Sequence, residues 1–328
     1  MRTRATRFPV KVLSTALLSA TITVACLPIA LAAEDSPTWA YPVNPPDFKP
    51  SPDDGSIRHL PGSTAGYTLA QARDLFSAPD WHSEDHPKMP AIVATGRKLD
   101  VFACGVCHRA EGTGGPENAS LAGLPAAYII QQMADYKSGV RSTAVPSRVP
   151  QALMIKLAKA ATDDEVREAA AYFSALKPRA NINVVESDSV AKTNVYGWFL
   201  VKADPAAEEP LGKRIIELPD DLYRFESRDS RATFTAYVPR GSMAKGQTLV
   251  TDSSKGPACT SCHSNDLRGV EAIPSIAGRS PSYIFRQLHE FKTGARAGPG
   301  AQSMKDSMAA LTQDDMIAIS AYLGTLKP

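Results

Sequence analysis

The 328-residue sequence has no marked excess of charge, no long apolar run beyond its N-terminus and only five cysteines. Residues 1–32 contain four basic residues and no acidic one, so the rest of the chain has 32 basic and 34 acidic residues, a net charge of −2. Without a polybasic face, the chain is not expected to bind nucleic acid or a membrane surface. Without further apolar runs, it is not a transporter with several spans. Its 43% hydrophobic and 21% charged residues are typical of a globular protein.

The first 32 residues have the pattern of a secretory signal peptide. Residues 1–11 are basic, residues 12–31 are mostly apolar, and Ala30-Leu31-Ala32 forms a small-x-small cleavage site. An uncleaved anchor helix is the alternative, because the apolar stretch approaches spanning length. Cys26 follows a poor lipoprotein motif and is expected to be removed with the peptide. We therefore expect a periplasmic mature chain, in a compartment where unprotected thiols tend to oxidise.

The other four cysteines form two pairs, Cys104-Gly-Val-Cys107-His108 and Cys259-Thr-Ser-Cys262-His263. Each is C-x-x-C-H, the attachment signature of a c-type haem. The two thiols form thioethers with the vinyl groups on one edge of the porphyrin, and the next imidazole becomes the proximal iron ligand. A redox C-x-x-C would not need the histidine twice, and a zinc site would need both motifs to converge. The motifs predict two covalently bound haem c groups, attached through Cys104, Cys107, Cys259 and Cys262, with His108 and His263 on the irons.

An internal repeat surrounds the two motifs. Residues 128–141 match residues 283–296 at an offset of 155, which is also the offset between the two motifs. Further on, residues 161–178 match residues 311–328 at an offset of 150. The difference of five residues falls in a proline-bearing loop, where insertions are tolerated. The chain therefore carries two copies of one domain.

Each copy is predicted to be helical. Proline at the start and glycine at the end predict helices near 125–138 and 280–293. Thr162 and Thr312, each followed by acidic residues, predict the N-caps of a final helix in each copy. A short helix is expected to run into each C-x-x-C-H.

These motifs resemble those of the tandem dihaem members of the class I cytochrome c superfamily. The resemblance covers about residues 96–178 and 246–328, including the L/I-A-G loop, the Y-I-x-x-Q-x-x-x-[FY]-K-x-G-x-R helix and the final L-T-x-x-D helix. It implies a mainly α fold, with two class I cytochrome c domains joined by an irregular linker with short β-strands. The expected segments are a signal peptide (1–32), a Pro-rich N-terminal arm (33–90), domain 1 (91–178), the linker (179–240) and domain 2 (241–328).

The resemblance also implies a methionine as the distal iron ligand, from the loop before the last helix. The family places it seven residues before the opening of the final helix motif, which selects Met154 and Met304. Met308 is the rival in the second domain, but its counterpart Ala158 has no ligating atom. His/Met ligation raises the reduction potential of a haem.

Two further features bear on the ligands. The family usually has a proline before the L/I-A-G loop whose carbonyl accepts a hydrogen bond from the proximal histidine; Pro274 fits, whereas Ala119 stands in the first copy. A bond to Ala119 remains feasible because a carbonyl is present there. The alternative of a bis-His haem uses His82 or His86.

The non-repeated segments are expected to be ordered. The arm is rich in proline and polar residues and is expected to pack on the first domain. In the linker, residues 194–201, 214–218 and 233–238 have the composition of short strands. They predict a small β-element that braces the two domains or meets a partner.

We expect an electron carrier, because two haems with both axial positions filled by protein leave no open site for oxygen or peroxide. The expected partners are redox proteins: a periplasmic dehydrogenase or other donor, and an oxidase, another cytochrome or other respiratory acceptor. Membrane contact is expected only through a partner or an uncleaved N-terminus. A tightly bound cytochrome subunit of a dehydrogenase is a variant of this hypothesis. The alternatives are a dihaem enzyme with a displaceable ligand, such as a peroxidase or a sulfur-compound dehydrogenase, and a module in which haem only stabilises the fold.

Overall fold

A computed structural model describes residue 1, residues 37–203 and residues 207–328. The expected signal peptide, with Cys26, lies outside the described residues apart from Met1. Among the described residues, no helix combines the length and the apolar character that crossing a membrane requires.

Each copy of the repeat contains five helices in the same order. In the first repeat they are α2 (Ala91–Ala94), α3 (Cys104–His108), α4 (Ala126–Ser138), α5 (Val149–Ala160) and α6 (Asp163–Ala175). In the second repeat they are α8 (Ser242–Thr251), α9 (Thr260–His263), α10 (Pro281–Thr293), α11 (Ala301–Met308) and α12 (Gln313–Thr325). Within each repeat the third helix packs against the last one, α4 on α6 and α10 on α12. The mainly α class with two cytochrome c domains is therefore confirmed.

The helix ends follow the predicted signals. Thr162 and Thr312 each accept a hydrogen bond from the third residue of the helix, whose own carboxylate returns to the threonine N–H. Such capping boxes satisfy two N–H groups that have no partner within the helix. Gly139 and Gly294 end α4 and α10 with φ of 85° and 78°, a conformation that glycine adopts without a steric penalty.

The described part of the arm is mostly irregular. It contains one α-helix, α1 (Leu69–Arg73), and two 3-10 turns, Thr38–Ala40 and Ser83–Asp85. Ala78 packs with Val106 of the first repeat, whereas Trp39 packs against Phe285 of the second, with 4.5 Å between ring centroids. The arm therefore contacts both repeats and not only the first.

The linker forms small sheets. Its elements are β1 (Ile182–Glu186), β2 (Ser189–Ala191), β3 (Thr193–Tyr196), β4 (Phe199–Lys202), β5 (Glu208–Pro210), β6 (Ile216–Pro219), α7 (Leu222–Glu226) and β7 (Phe234–Val238). Strand β7 is central to a three-stranded sheet, parallel to β1 and antiparallel to β6. Strands β2 and β5 pair with each other, and so do β3 and β4.

One predicted strand is divided in two. Residues 194–201 form most of the β3–β4 hairpin, because Gly197 and Trp198 turn the chain with φ of 56° and 83°. Two positive φ values in succession are typical of the two-residue turns that join antiparallel strands. The strands predicted over 214–218 and 233–238 correspond to β6 and β7.

The arm and the linker are fastened to each other. Trp81 donates from its indole Nε1 to the Ser227 carbonyl at 2.7 Å, and His82 Nε2 lies 3.1 Å from a carboxylate oxygen of Asp229. Both side chains are buried. Since the Trp81 and His82 side chains reach the linker across more than a hundred residues of sequence, the two non-repeated segments pack directly against each other.

Candidate functional site

The two C-x-x-C-H motifs lie on short helices that end at the histidine. Helix α3 begins at Cys104, and α9 begins directly after Cys259. The residue after each histidine, Arg109 or Ser264, has a φ of 68°. This conformation stops the helix, and the following loop folds back beneath the imidazole.

Both proximal histidines are oriented by a backbone carbonyl. His108 donates from Nδ1 to the Ala119 carbonyl at 2.8 Å, and His263 donates from Nδ1 to the Pro274 carbonyl at 2.9 Å. A carbonyl only accepts, so the proton lies on Nδ1 and the Nε2 lone pair is free for a metal. Burial lowers the pKa of both imidazoles, which favours the neutral, ligating form. The bond predicted for Pro274 is confirmed, and Ala119 makes the equivalent bond.

The loops that carry these carbonyls depend on glycine at one equivalent position. Gly114 donates from its N–H to the His108 carbonyl at 3.0 Å, and Gly269 donates to the His263 carbonyl at 2.9 Å. Both have positive φ, and a Cβ at either position would collide with backbone atoms of the same loop. The close fit holds the acceptor carbonyl against the imidazole.

One cavity of about 690 Å³ reaches both motifs. All eight predicted site residues line it: Cys104, Cys107, His108, Met154, Cys259, Cys262, His263 and Met304. His82 and His86 do not line it; His82 faces Asp229, and His86 faces Asp80 at 3.1 Å.

The methionines lie on helices and not in a loop. Met154 is on α5 and Met304 is on α11, and both are half-buried at the cavity wall. Met308 and Met133 also line the cavity. Met308 is only 1% exposed and packs in the core of the second repeat, as a methionine does when it fills apolar space.

The donor set of each repeat fits a covalently attached haem. All four cysteines are free thiols, and burial raises the pKa of Cys104 to about 12 and that of Cys259 to about 11. Neutral thiols beside an apolar cavity are suited to becoming uncharged thioethers. A zinc site would need the motifs to converge, but no three His, Cys, Asp or Glu side chains form a metal-binding group in residues 37–203 and 207–328.

The repeats meet through a nearly two-fold symmetric contact. Arg141 donates to Gln287 across the interface at 2.9 Å, and Arg296 donates to its counterpart Gln132 at 2.7 Å. Arg296 also donates to the Tyr128 hydroxyl at 2.8 Å. These five side chains line the cavity, so the two sites share a wall.

Two buried arginines of the second repeat donate hydrogen bonds to the first repeat, and the first repeat has no arginine at the equivalent positions. Arg279 donates to the Ser120 hydroxyl at 2.7 Å, and Arg286 donates to the Pro116 carbonyl. Burial lowers the pKa of Arg279 to about 10. The positions equivalent to these arginines in the first repeat are Leu124 and Gln131, so the repeat pattern gave no signal for them.

Comparison with known proteins decides the family. The profile of the family described as Cytochrome c matches residues 93–177 and 243–327, slightly more than half of the chain. The chain belongs to the cytochrome c family. Cytochrome c4 of Azotobacter vinelandii is 28% identical over 67% of this chain and 82% of its own length. Cytochrome c4 of Pseudomonas aeruginosa is 26% identical over 70% of this chain and 87% of its own length.

A third relative carries a functional name. It is a thiosulfate dehydrogenase electron acceptor of Thiomonas intermedia, 26% identical over 68% of this chain and 78% of its own length. The chain is thus a tandem dihaem class I cytochrome c with two covalently bound haem c groups, as the sequence predicted. It is an electron-transfer cytochrome that works with redox protein partners.

Proposed function

We propose that this cytochrome is exported to the periplasm and carries electrons between a dehydrogenase, or another donor, and a respiratory acceptor. Cys104 and Cys107 hold the first haem, and Cys259 and Cys262 hold the second. The first iron would be held by His108 and Met154, and the second by His263 and Met304. The observation that carries this proposal is that one apolar cavity gathers two thiols, one oriented imidazole and the predicted methionine from each repeat.

The roles of the side chains follow from their chemistry. A bound haem supplies an iron that cycles between Fe(II) and Fe(III). The carbonyls of Ala119 and Pro274 fix the histidine tautomer and the ring orientation. The methionines offer a soft ligand that favours Fe(II), and the apolar wall excludes water. Because helices of the protein would hold the histidine and the methionine on either side of each iron, little rearrangement would accompany the change of oxidation state.

The relatives support a redox protein as donor. The name of the Thiomonas protein says that it accepts electrons from thiosulfate dehydrogenase. A dehydrogenase that releases single electrons is the corresponding donor for this chain. Export rests on the sequence pattern of residues 1–32 and on the C-x-x-C-H motifs. The domain boundaries given above belong to the same proposal.

A redox titration of the purified holo-protein tests the ligands. We expect Met154→Ala and Met304→Ala each to abolish the long-wavelength Met–Fe(III) absorption of one haem and to lower its potential. Met308→Ala is the matched control and should retain both signals, because Met308 packs in the core. An unchanged spectrum in either of the first two variants would mean that the ligand is wrongly assigned.

Mass spectrometry of the mature protein tests attachment and export together. The expected polypeptide begins near Ala33 and carries two haem groups. A mass with one haem or none would contradict the attachment, and an intact N-terminus would contradict cleavage.

A further inference from the structure

The two motifs are equivalent in sequence but differ in their access to solvent. Residues 109–117, which follow the first motif, are buried throughout. At an offset of 155, most of residues 264–272 are exposed. Cys107 is half-buried, whereas its counterpart Cys262 is exposed. Because the repeat supplies the comparison within one chain, the difference must come from what covers the first motif.

The arm covers the first motif at its two central residues. Val106 is fully buried and packs with Ala78, and a Cβ at Gly105 would lie 2.9 Å from the Ala78 Cβ. The counterparts of Gly105 and Val106 are Thr260 and Ser261, both polar, and Ser261 is exposed. The sequence of the first motif is therefore adapted to close contact with the arm.

The linker covers the loop that follows the first motif. Arg228 donates to the Val106 carbonyl at 3.1 Å, and Ser230 accepts from the N–H of Glu111 at 3.3 Å. Phe225 packs against the guanidinium of Arg109 at 5.2 Å. We call arm residues 75–89 and linker residues 225–231 together the cap. Since the arm and the linker are fastened to each other at Trp81 and His82, the cap is a single layer.

The second motif presents an apolar surface instead. Val270 is 50% exposed and Ile273 is 36% exposed, and the two pair through their backbones. Exposed Ala272 lies between them. Cys262, Ala272 and Ile273 also line the cavity, so the cavity reaches the surface here. We call Cys262, Val270, Ala272 and Ile273 the second-site face.

The charges beside this face indicate the kind of partner. Asp266, Arg268 and Glu271 are exposed within the same loop and have mixed signs. They provide little net field to steer a strongly charged partner. A small apolar face of this kind fits the transient complexes of electron-transfer proteins, which bury less than about 1,200 Å² in total.

Resting on the proposed electron-transfer function, we propose that the second-site face is the surface on which redox partners dock, and that the cap keeps them from the first motif. The partner is a protein whose one-electron cofactor lies beneath an apolar surface. Donor and acceptor use this face in turn. The first site exchanges electrons through the second, across the shared cavity wall that carries Arg141 and Arg296.

The experiment is stopped-flow reduction of the oxidised holo-protein by a reduced blue-copper protein. One electron passes from Cu(I) to Fe(III) at the second site, giving Cu(II) and Fe(II), and no bond forms or breaks. We expect Ile273→Lys and Val270→Lys each to lower the second-order rate constant about tenfold, because a charge is then placed in an apolar contact. Leu99→Lys is the matched control, since Leu99 is an apolar side chain of the first repeat that is 86% exposed. Its rate constant should stay within about twofold of the unaltered protein.

Ascorbate separates the two proposals. Because it is small, it should reduce the unaltered protein, Val270→Lys and Leu99→Lys at similar rates, and failure to reduce the unaltered protein would contradict the electron-transfer function itself. Equal slowing in Leu99→Lys, or no slowing in either second-site variant, would overturn the docking surface.

Binding can also be measured when no electron is transferred. In the oxidised holo-protein mixed with the Cu(II) form of the blue-copper protein, backbone amides of residues 260–273 should be protected from hydrogen exchange. Protection at residues 105–117 instead would also overturn it.

Discussion

Asp315, at the start of α12, is a buried carboxylate whose charge we expect to stabilise the second repeat. Its side chain is 2% exposed and lies 2.8 Å from Lys245 Nζ and 2.6 Å from Lys255 Nζ. It also accepts a hydrogen bond from the Thr312 N–H at 3.0 Å. Burial alone would raise the pKa of Asp315, but the hydrogen bonds from both lysines outweigh it and hold the pKa well below its usual range.

The variant Asp315→Asn keeps the shape of the side chain and removes its charge. Each hydrogen bond to a charged group is worth about 1.5–3 kcal/mol, but the lysines are 45% and 39% exposed, so water screens part of this. We therefore expect the free energy of unfolding to fall by about 2–3 kcal/mol. Urea unfolding followed by circular dichroism at neutral pH measures it.

Glu165→Gln is the matched control in the first repeat. Glu165 stands at the equivalent capping position and pairs with Arg97 at 2.8 Å, but it has one cationic partner and is 18% exposed. We expect a loss of about 1 kcal/mol. Equal losses in the two variants would refute the argument that burial and the second lysine matter.

The pH dependence gives a second check. Because the pKa of Asp315 is lowered in the folded state, its contribution is complete above the unfolded value of about 3.9. It is lost as pH falls through the lower folded value. The difference between the unaltered protein and Asp315→Asn should therefore be largest near neutral pH and should shrink below about pH 4. A difference that is the same at pH 7 and about pH 3 would contradict this account.

Three further sets of substitutions test the cap and the interface. Gly105→Thr places the threonine of the second motif beneath the arm, and we expect it to lower the free energy of unfolding by about 2 kcal/mol, measured by thermal unfolding. The reverse change in the second motif, Thr260→Gly, should lower it by about 0.5–1 kcal/mol. Trp81→Phe removes the bond between the arm and the linker and should cost about 1 kcal/mol and speed proteolysis of the linker. Arg141 and Arg296 both donate to Gln132 and to Gln287, so the loss in the Arg141→Gln/Arg296→Gln double variant, measured by urea unfolding, should be smaller than the sum of the single losses.

The local parts of the site could be predicted from sequence. The C-x-x-C-H motif has only five residues, and these determine which atoms are expected to face the haem. His263 and its acceptor Pro274 are only eleven positions apart in the sequence. The ends of α4 and α10 followed from proline and glycine for the same reason, since capping is decided within one turn.

The non-local parts could not be predicted. The need for glycine at position 105 is evident only once Ala78 and the Val93 carbonyl are known to lie against it, and no sequence pattern connects these positions. The turn at Gly197 and Trp198 was missed because a glycine between aromatic residues also fits a continuous strand. The methionine helices were missed because the resemblance suggested a loop. In each case, the local structure depends on a contact or a backbone angle that the amino-acid composition does not determine.

The paired arginines at the interface make the chain comparable to a homodimer whose subunits have been joined. In a homodimer, every substitution appears twice, so both active regions change together. Joining the copies removes that restriction, because one copy of the gene segment can change while the other keeps its residue. The pairs Gly105-Val106 and Thr260-Ser261 differ in this way: the first pair lies in an interior contact, whereas the second pair is partly or fully exposed to solvent.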